Sequence, residues 1–156
     1  MVIFSGDNIT ALAMPSYDII SLPDSIGNLV SLTSVHVGHN QLTHLPDSIG
    51  NLTSLTHLYA SNNLLTQLPD SIGNLSSLSV LYLGYNQLTA LPDSIQYLTS
   101  LSVLGVYHNQ LTHLPDSIDN LRLKELYIHN NPITSTLIGM SLVKWRFWKD
   151  NMIVRV

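Results

Sequence analysis

Leu78-Ser-Val-Leu81-Tyr-Leu83-Gly-Tyr-Asn86-Gln-Leu88-Thr-Ala-Leu91-Pro92 spaces its leucines by three, two, five and three residues around a single asparagine, and that spacing decides the fold. The alternation about Leu81 and Leu83 is the period-two signal of a short strand with one face buried. Leu91 and Pro92 open the pentapeptide Leu-Pro-Asp-Ser-Ile, which starts at Leu22, Leu45, Leu68, Leu91 and Leu114, a period of 23 residues. A fixed period of about 20 to 50 residues is the mark of a solenoid, in which no unit buries its apolar face alone and stacking creates one continuous core.

Working outward from this stretch, six rungs align on Ile9-Leu12-Met14, Leu32-Val35-Val37, Leu55-Leu58-Ala60, Leu78-Leu81-Leu83, Leu101-Leu104-Val106 and Leu123-Leu126-Ile128. Six parallel strands at about 4.8 Å spacing predict a concave sheet roughly 25–30 Å long. Asn40, Asn63, Asn86, Asn109 and Asn131 follow the strands at turns, where an amide satisfies backbone groups that burial would leave unpaired. A ladder of buried amides is expected. On the far side, Pro-Asp-Ser-Ile fixes φ at proline and offers Asp or Ser as the cap of a short helical turn, with Ile and Leu pointing back inside.

Departures from the frame mark the ends. Tyr17 stands where the first asparagine would be, and the sixth rung is one residue short. Residues 134–156 leave the frame altogether. The expectation is one domain, 1–156, with 1–21 a degenerate first rung and N-terminal cap, 22–133 regular repeats and 134–156 a C-terminal cap. Within that cap Leu142, Trp145 and Lys149 suit a helical stripe, while Val143, Trp145 and Phe147 suit a strand, so both conformations stay open.

The frame and the Leu-Pro-x-x-Ile motif, quoted above from Ile9 to Ile133, resemble the leucine-rich repeat. The 23-residue variant is similar to the intracellular class of Ras-scaffold and plant Ras-group repeat proteins and to repeat proteins and effectors of bacteria. The resemblance implies an α/β leucine-rich-repeat solenoid, a right-handed curved stack with a parallel concave β-sheet and short helical turns on the convex face. It also implies binding of other proteins.

Composition narrows the setting. The chain has no cysteine, so disulfides, a thiolate nucleophile and cysteine zinc sites are excluded, which points to a reducing compartment. Met1–Asp7 carries no basic n-region or long apolar run, so no secretion signal is read and a cytoplasmic location is expected, with a delivered effector in a host cytosol as the alternative. Residues 1–121 hold eight acids and no Lys or Arg; all six bases lie from Arg122 onward. An acidic body of this kind cannot neutralise phosphates, which argues against nucleic-acid binding. No stretch of 18 apolar residues occurs, so no membrane insertion is expected.

The residues that face outward from each strand carry the functional reading. They hold five of the seven tyrosines and five of the seven histidines. The expected partner-binding set is His36, His39, His57, Tyr59, Tyr82, Tyr85, Tyr107, His108, Tyr127 and His129, centred on Tyr59, Tyr82, Tyr85 and Tyr107. Tyrosine brings large area at small entropic cost together with a polar handle, which is why it concentrates at interfaces. Strand propensity alone enriches Tyr and Thr in such positions too. His36, His39 and His57 lie on adjacent rungs without a carboxylate among them, and solvated surface histidines are preferred to a metal site. No nucleophile elbow, phosphate loop or acid–base pair is present, so no catalytic residue and no cofactor are assigned. The sequence therefore reads as a noncatalytic module binding a protein or peptide on its concave face; self-association and a bacterial effector that binds a host protein are the alternatives.

Overall fold

A computed structural model of the chain describes residues 2–5, 8–133 and 153–155. Eight strands form one sheet in chain order: β1 Val2–Ser5, β2 Asn8–Ala13, β3 Ser34–His36, β4 His57–Tyr59, β5 Val80–Tyr82, β6 Val103–Gly105, β7 Glu125–Tyr127 and β8 Ile153–Arg155. From β2 to β8 all pairings are parallel, whereas β1 folds back antiparallel on β2. The sheet thus outruns the six expected rungs at both ends. Of the tail, Ile153–Arg155 settles as a strand beside β7; the expectations for Leu142, Val143, Trp145, Phe147 and Lys149 lie outside the described residues.

Register follows the period. Ala11, Ser34, His57, Val80 and Val103 are Cα partners in turn, each 23 residues on, and the next partner is Glu125, 22 residues on. The missing residue of the sixth rung is absorbed at Leu121, whose ψ is 150°, where the equivalent Leu29, Leu52, Leu75 and Leu98 have ψ of 54–63°. A one-residue slip would turn every outward side chain inward, so this local change preserves the face. Inside, the rung leucines, isoleucines and valines form one unbroken core from Leu12 to Ile128.

The asparagine ladder is present as expected. Asn86 Nδ2 donates to Ala60 O at 3.0 Å and to Leu83 O at 3.0 Å, while its Oδ1 accepts the Leu65 N–H at 2.9 Å. Asn63, Asn109 and Asn131 repeat the arrangement, each tying its own rung to the preceding one. Asn40 does the same at the start, and its Oδ1 receives the N–H of Tyr17, whose side chain is 66% exposed and takes no part in the ladder.

The convex turns are all 3₁₀, Asp24–Asn28, Asp47–Asn51, Asp70–Asn74, Asp93–Tyr97 and Asp116–Asn120. Neighbouring α-helices need about 8–10 Å of separation, and strands stack at about 4.8 Å. The narrower turn keeps the two sides closer to one spacing. The expectation that Asp or Ser would cap these turns is overturned: the N-cap is proline, with φ near −70° and ψ near 150°, and no side chain caps. The serine instead points between rungs, where Ser48, Ser71, Ser94 and Ser117 bury an Oγ with no protein partner. Close stacking explains this, since a Cβ added at Gly50 would lie 2.7 Å from Ser71 Cβ. A buried hydroxyl left unpaired costs about 1 kcal/mol or more, so Ser71→Ala is expected to raise the unfolding free energy by about 1 kcal/mol in urea.

Candidate functional site

Each strand contributes a buried central residue flanked by two outward ones, and register stacks these into columns. One column reads His36, Tyr59, Tyr82, Gly105, Tyr127. Its rings touch in sequence: His36 to Tyr59 at 5.5 Å, Tyr59 to Tyr82 stacked at 5.8 Å, and Tyr82 to Tyr127 at 6.3 Å. His57 joins from the neighbouring column, stacked on Tyr59 at 6.1 Å. Tyr82 reaches Tyr127, two strands away, because Gly105 between them has no side chain. A Cβ there would sit 2.5 Å from Tyr82 Cδ1.

A second row is built just beyond the strand ends. Tyr85 stacks on His108 at 4.1 Å, Tyr107 stacks on His129 at 5.0 Å, and Tyr85 meets Tyr107 edge-on at 5.6 Å. Here too a glycine makes the room, since a Cβ on Gly84 would lie 2.5 Å from Tyr107 Cε2 and 2.7 Å from Cε1. Tyr85 and His108 are held at φ of 55° and 51°. Left-handed backbone costs a residue with a Cβ about 1–2 kcal/mol, and in the same column Asn62 and Asn130 hold that conformation with the side chain best suited to it. Tyr85 thus carries a strain that its stacking offsets, while 49% of its surface remains in solvent.

Of the ten expected residues, nine fall into these two rows, which meet where Tyr82 and Tyr107 both approach Gly105. His39 stands apart; it is exposed, has φ of 56° and makes no ring contact among the described residues. Sequence reading missed the parts played by Gly84 and Gly105. Glu125, an outward residue by its place in the rung but outside the expected binding set, accepts the Tyr127 hydroxyl on Oε2 at 2.5 Å. From Thr33 to His108 the outward positions hold no formal charge.

Hydrogen bonds set the ring nitrogens. Thr56 Oγ1 donates its one proton to Thr33 O at 2.8 Å, so His57 Nδ1, 2.8 Å away, is the donor to that hydroxyl. Neutral His57 then presents Nε2 as an acceptor to whatever covers the face. His108 Nε2 accepts from Asn130 Nδ2 at 2.7 Å, which fixes its proton on Nδ1. Burial first, then the Glu125 carboxylate and the neighbouring phenols Tyr107 and Tyr59, push the Tyr82 hydroxyl above its usual value of 10.0. The neutral phenol is therefore favoured in the folded chain. Its contribution is complete below pH 10 and fades as pH rises through the higher folded value. An alkaline ultraviolet titration is expected to show a late-ionising tyrosine that Tyr82→Phe removes.

Among the described residues no helix is long and apolar enough to cross a membrane, and no group of three or more His, Asp or Glu is placed to hold a metal ion. Family models described as a leucine-rich repeat region and a leucine rich repeat match residues 11–87 and 76–133. The chain belongs to the leucine-rich-repeat family, whose members are generally noncatalytic protein-interaction modules. No curated protein matches its sequence.

Among solved structures it is similar to a leucine-rich-repeat protein of Leptospira interrogans, at 33% identity and a TM-score of 0.85 over 94% of this chain and 37% of that one. It is also similar to the ectodomain of the Arabidopsis thaliana membrane receptor kinase GASSHO1/SCHENGEN3, solved in complex with CASPARIAN STRIP INTEGRITY FACTOR 2. There the identity is 32% and the TM-score 0.72, over 78% of this chain and 16% of that one. An internalin of Listeria monocytogenes follows at 31% identity and a TM-score of 0.69, over 78% and 35%. The chain spans little more than a third, or less, of each of these proteins.

Proposed function

We propose that this chain binds a protein or peptide segment along its concave face, across the two ring rows, and carries out no reaction of its own. The observation that carries the reading is the continuity of the rows: nine Tyr and His rings on a face whose outward positions are uncharged from Thr33 to His108, kept in contact by glycines where a side chain would part them. Half-buried phenols of this kind are already ordered in the free protein, so a partner loses little further entropy on contact. The similarity to an ectodomain solved in complex with CASPARIAN STRIP INTEGRITY FACTOR 2 supports a binding role as such. With no cysteine in the chain, a reducing cytosol fits best, that of a host cell included if the chain acts as an effector.

The test is selection from a displayed peptide library, followed by affinity measurement on the folded quadruple variant with Tyr59, Tyr82, Tyr85 and Tyr107 changed to alanine. Ligands whose binding collapses in that variant and survives Asp70→Asn on the convex side support the concave face. Ligands indifferent to the four tyrosines would refute it.

A further inference from the structure

For most of their length the ring rows offer no charge, but their C-terminal corner differs. Glu125 and Tyr127 lie either side of buried Leu126 on β7 and so project from the same face. In register Glu125 sits beside Val103 and Tyr127 beside Gly105. Over Gly105 the rings converge: Tyr82 leans in from β5, a Cβ placed on Gly105 would lie 3.4 Å from Tyr107 Cε1, and Tyr82 packs on Tyr127 at 6.3 Å. One carboxylate is therefore bonded to Tyr127, whose ring packs on Tyr82, and Tyr107 approaches the same glycine from the second row. The Tyr127 hydroxyl bonds Oε2 of Glu125, which steadies the carboxylate and engages only one of its two oxygens.

We propose that Tyr82, Tyr107, Tyr127 and Glu125 form a recognition site for an arginine side chain of the partner. The inference rests on the concave-face reading and gives that partner its chemistry. Aromatic faces attract cations through their quadrupole, and the attraction grows where water is partly excluded. The carboxylate adds a charge-assisted bond. A guanidinium satisfies both at once, since its plane stacks on a ring while its fork of N–H donors reaches the carboxylate, whereas an ammonium is a compact and strongly hydrated point charge. Residues 1–121 hold eight acids and no Lys or Arg, so a cation is drawn in along that part of the stack and an anionic partner is repelled, whereas the corner itself stands at the edge of the basic segment, where register sets Arg155 beside Tyr127. Arg122 and Lys124 oppose it locally. Both are exposed, and among the described residues neither pairs with Glu125.

The experiment titrates the intact chain with the blocked tripeptide Gly-Arg-Gly, following tyrosine ring resonances by NMR, alongside the same tripeptide carrying citrulline or lysine in place of arginine. Expected is a saturable shift at Tyr82, Tyr107 and Tyr127 with the arginine probe only, weakened about fivefold in Glu125→Gln and by added salt. An unchanged urea midpoint checks that this variant is folded. Equal shifts with citrulline, equal affinity for lysine, a response centred on Tyr59, or no saturable shift would each overturn the assignment. Failure here is separable from failure of the concave-face reading. Library ligands that need the four tyrosines and bind equally well with citrulline for arginine would sink this proposal alone, and ligands indifferent to the tyrosines would sink both.

Discussion

Asn86→Ala is expected to lower the unfolding free energy by about 3 kcal/mol, measured by urea denaturation. The wild-type side chain makes three bonds of 3.0 Å or shorter and a long one of 3.5 Å to Gly84 O in a site where it is only 8% exposed, and its loss strands the buried Leu65 N–H outright. The two carbonyls fare differently. Ala60 O keeps the Nδ2 of Asn63 at 3.1 Å, and Leu83 O keeps the Nδ2 of Asn109 at 2.9 Å, because the carbonyls of Val37, Ala60, Leu83 and Val106 each serve two successive asparagines. Sharing makes the ladder cooperative in a way a double-mutant cycle can read. Asn86→Ala with Asn109→Ala deprives Leu83 O of both donors, so the pair is expected to cost about 1 kcal/mol beyond the sum of the singles. Asn40→Ala with Asn109→Ala shares no acceptor and should add. Additivity in both pairs would mean that the carbonyls find other donors and that the ladder is a set of independent pegs.

That ladder was legible in the sequence because it repeats with the period: one asparagine per rung, always after the strand, needs only the rule that buried backbone groups must be paired. The register was legible for the same reason. What escaped lies along the stack axis, which a single repeat does not describe. The serine of Pro-Asp-Ser-Ile looks like a cap when its own turn is considered alone, yet its hydroxyl is pressed between turns by the glycine of the preceding rung. The grouping of the tyrosines escaped likewise. Tyr59, Tyr82, Tyr85 and Tyr107 read as one centre, but Tyr82 lies in a strand and Tyr85 in the left-handed turn after it, so they join different rows. Glu125 was visible as an outward residue; its placement among phenols depends on Tyr82 crossing Gly105, a rotamer that spacing does not encode.

Gly84→Ala is expected to separate binding from folding. The backbone does not require glycine at this place in the rung: φ there is not positive, and Pro15, Ser61, Tyr107 and His129 occupy the equivalent positions of other rungs. The obstacle to a Cβ is the outer end of the Tyr107 ring, which can swing away. The stability cost should therefore stay under about 1 kcal/mol. Swinging away, however, takes Tyr107 off His129 and out of its edge contact with Tyr85, so the second row loses its centre and the corner by Glu125 loses one of its rings. Loss of a preorganised aromatic anchor commonly costs 2 kcal/mol or more, so affinity for a concave-face ligand is expected to fall at least about tenfold with the urea midpoint nearly unchanged. Normal affinity in a folded Gly84→Ala chain would show that the second row takes no part in recognition. A large loss of stability would show instead that Tyr107 is held over Gly84 by the needs of the fold, and that the order of the rings is a consequence of packing.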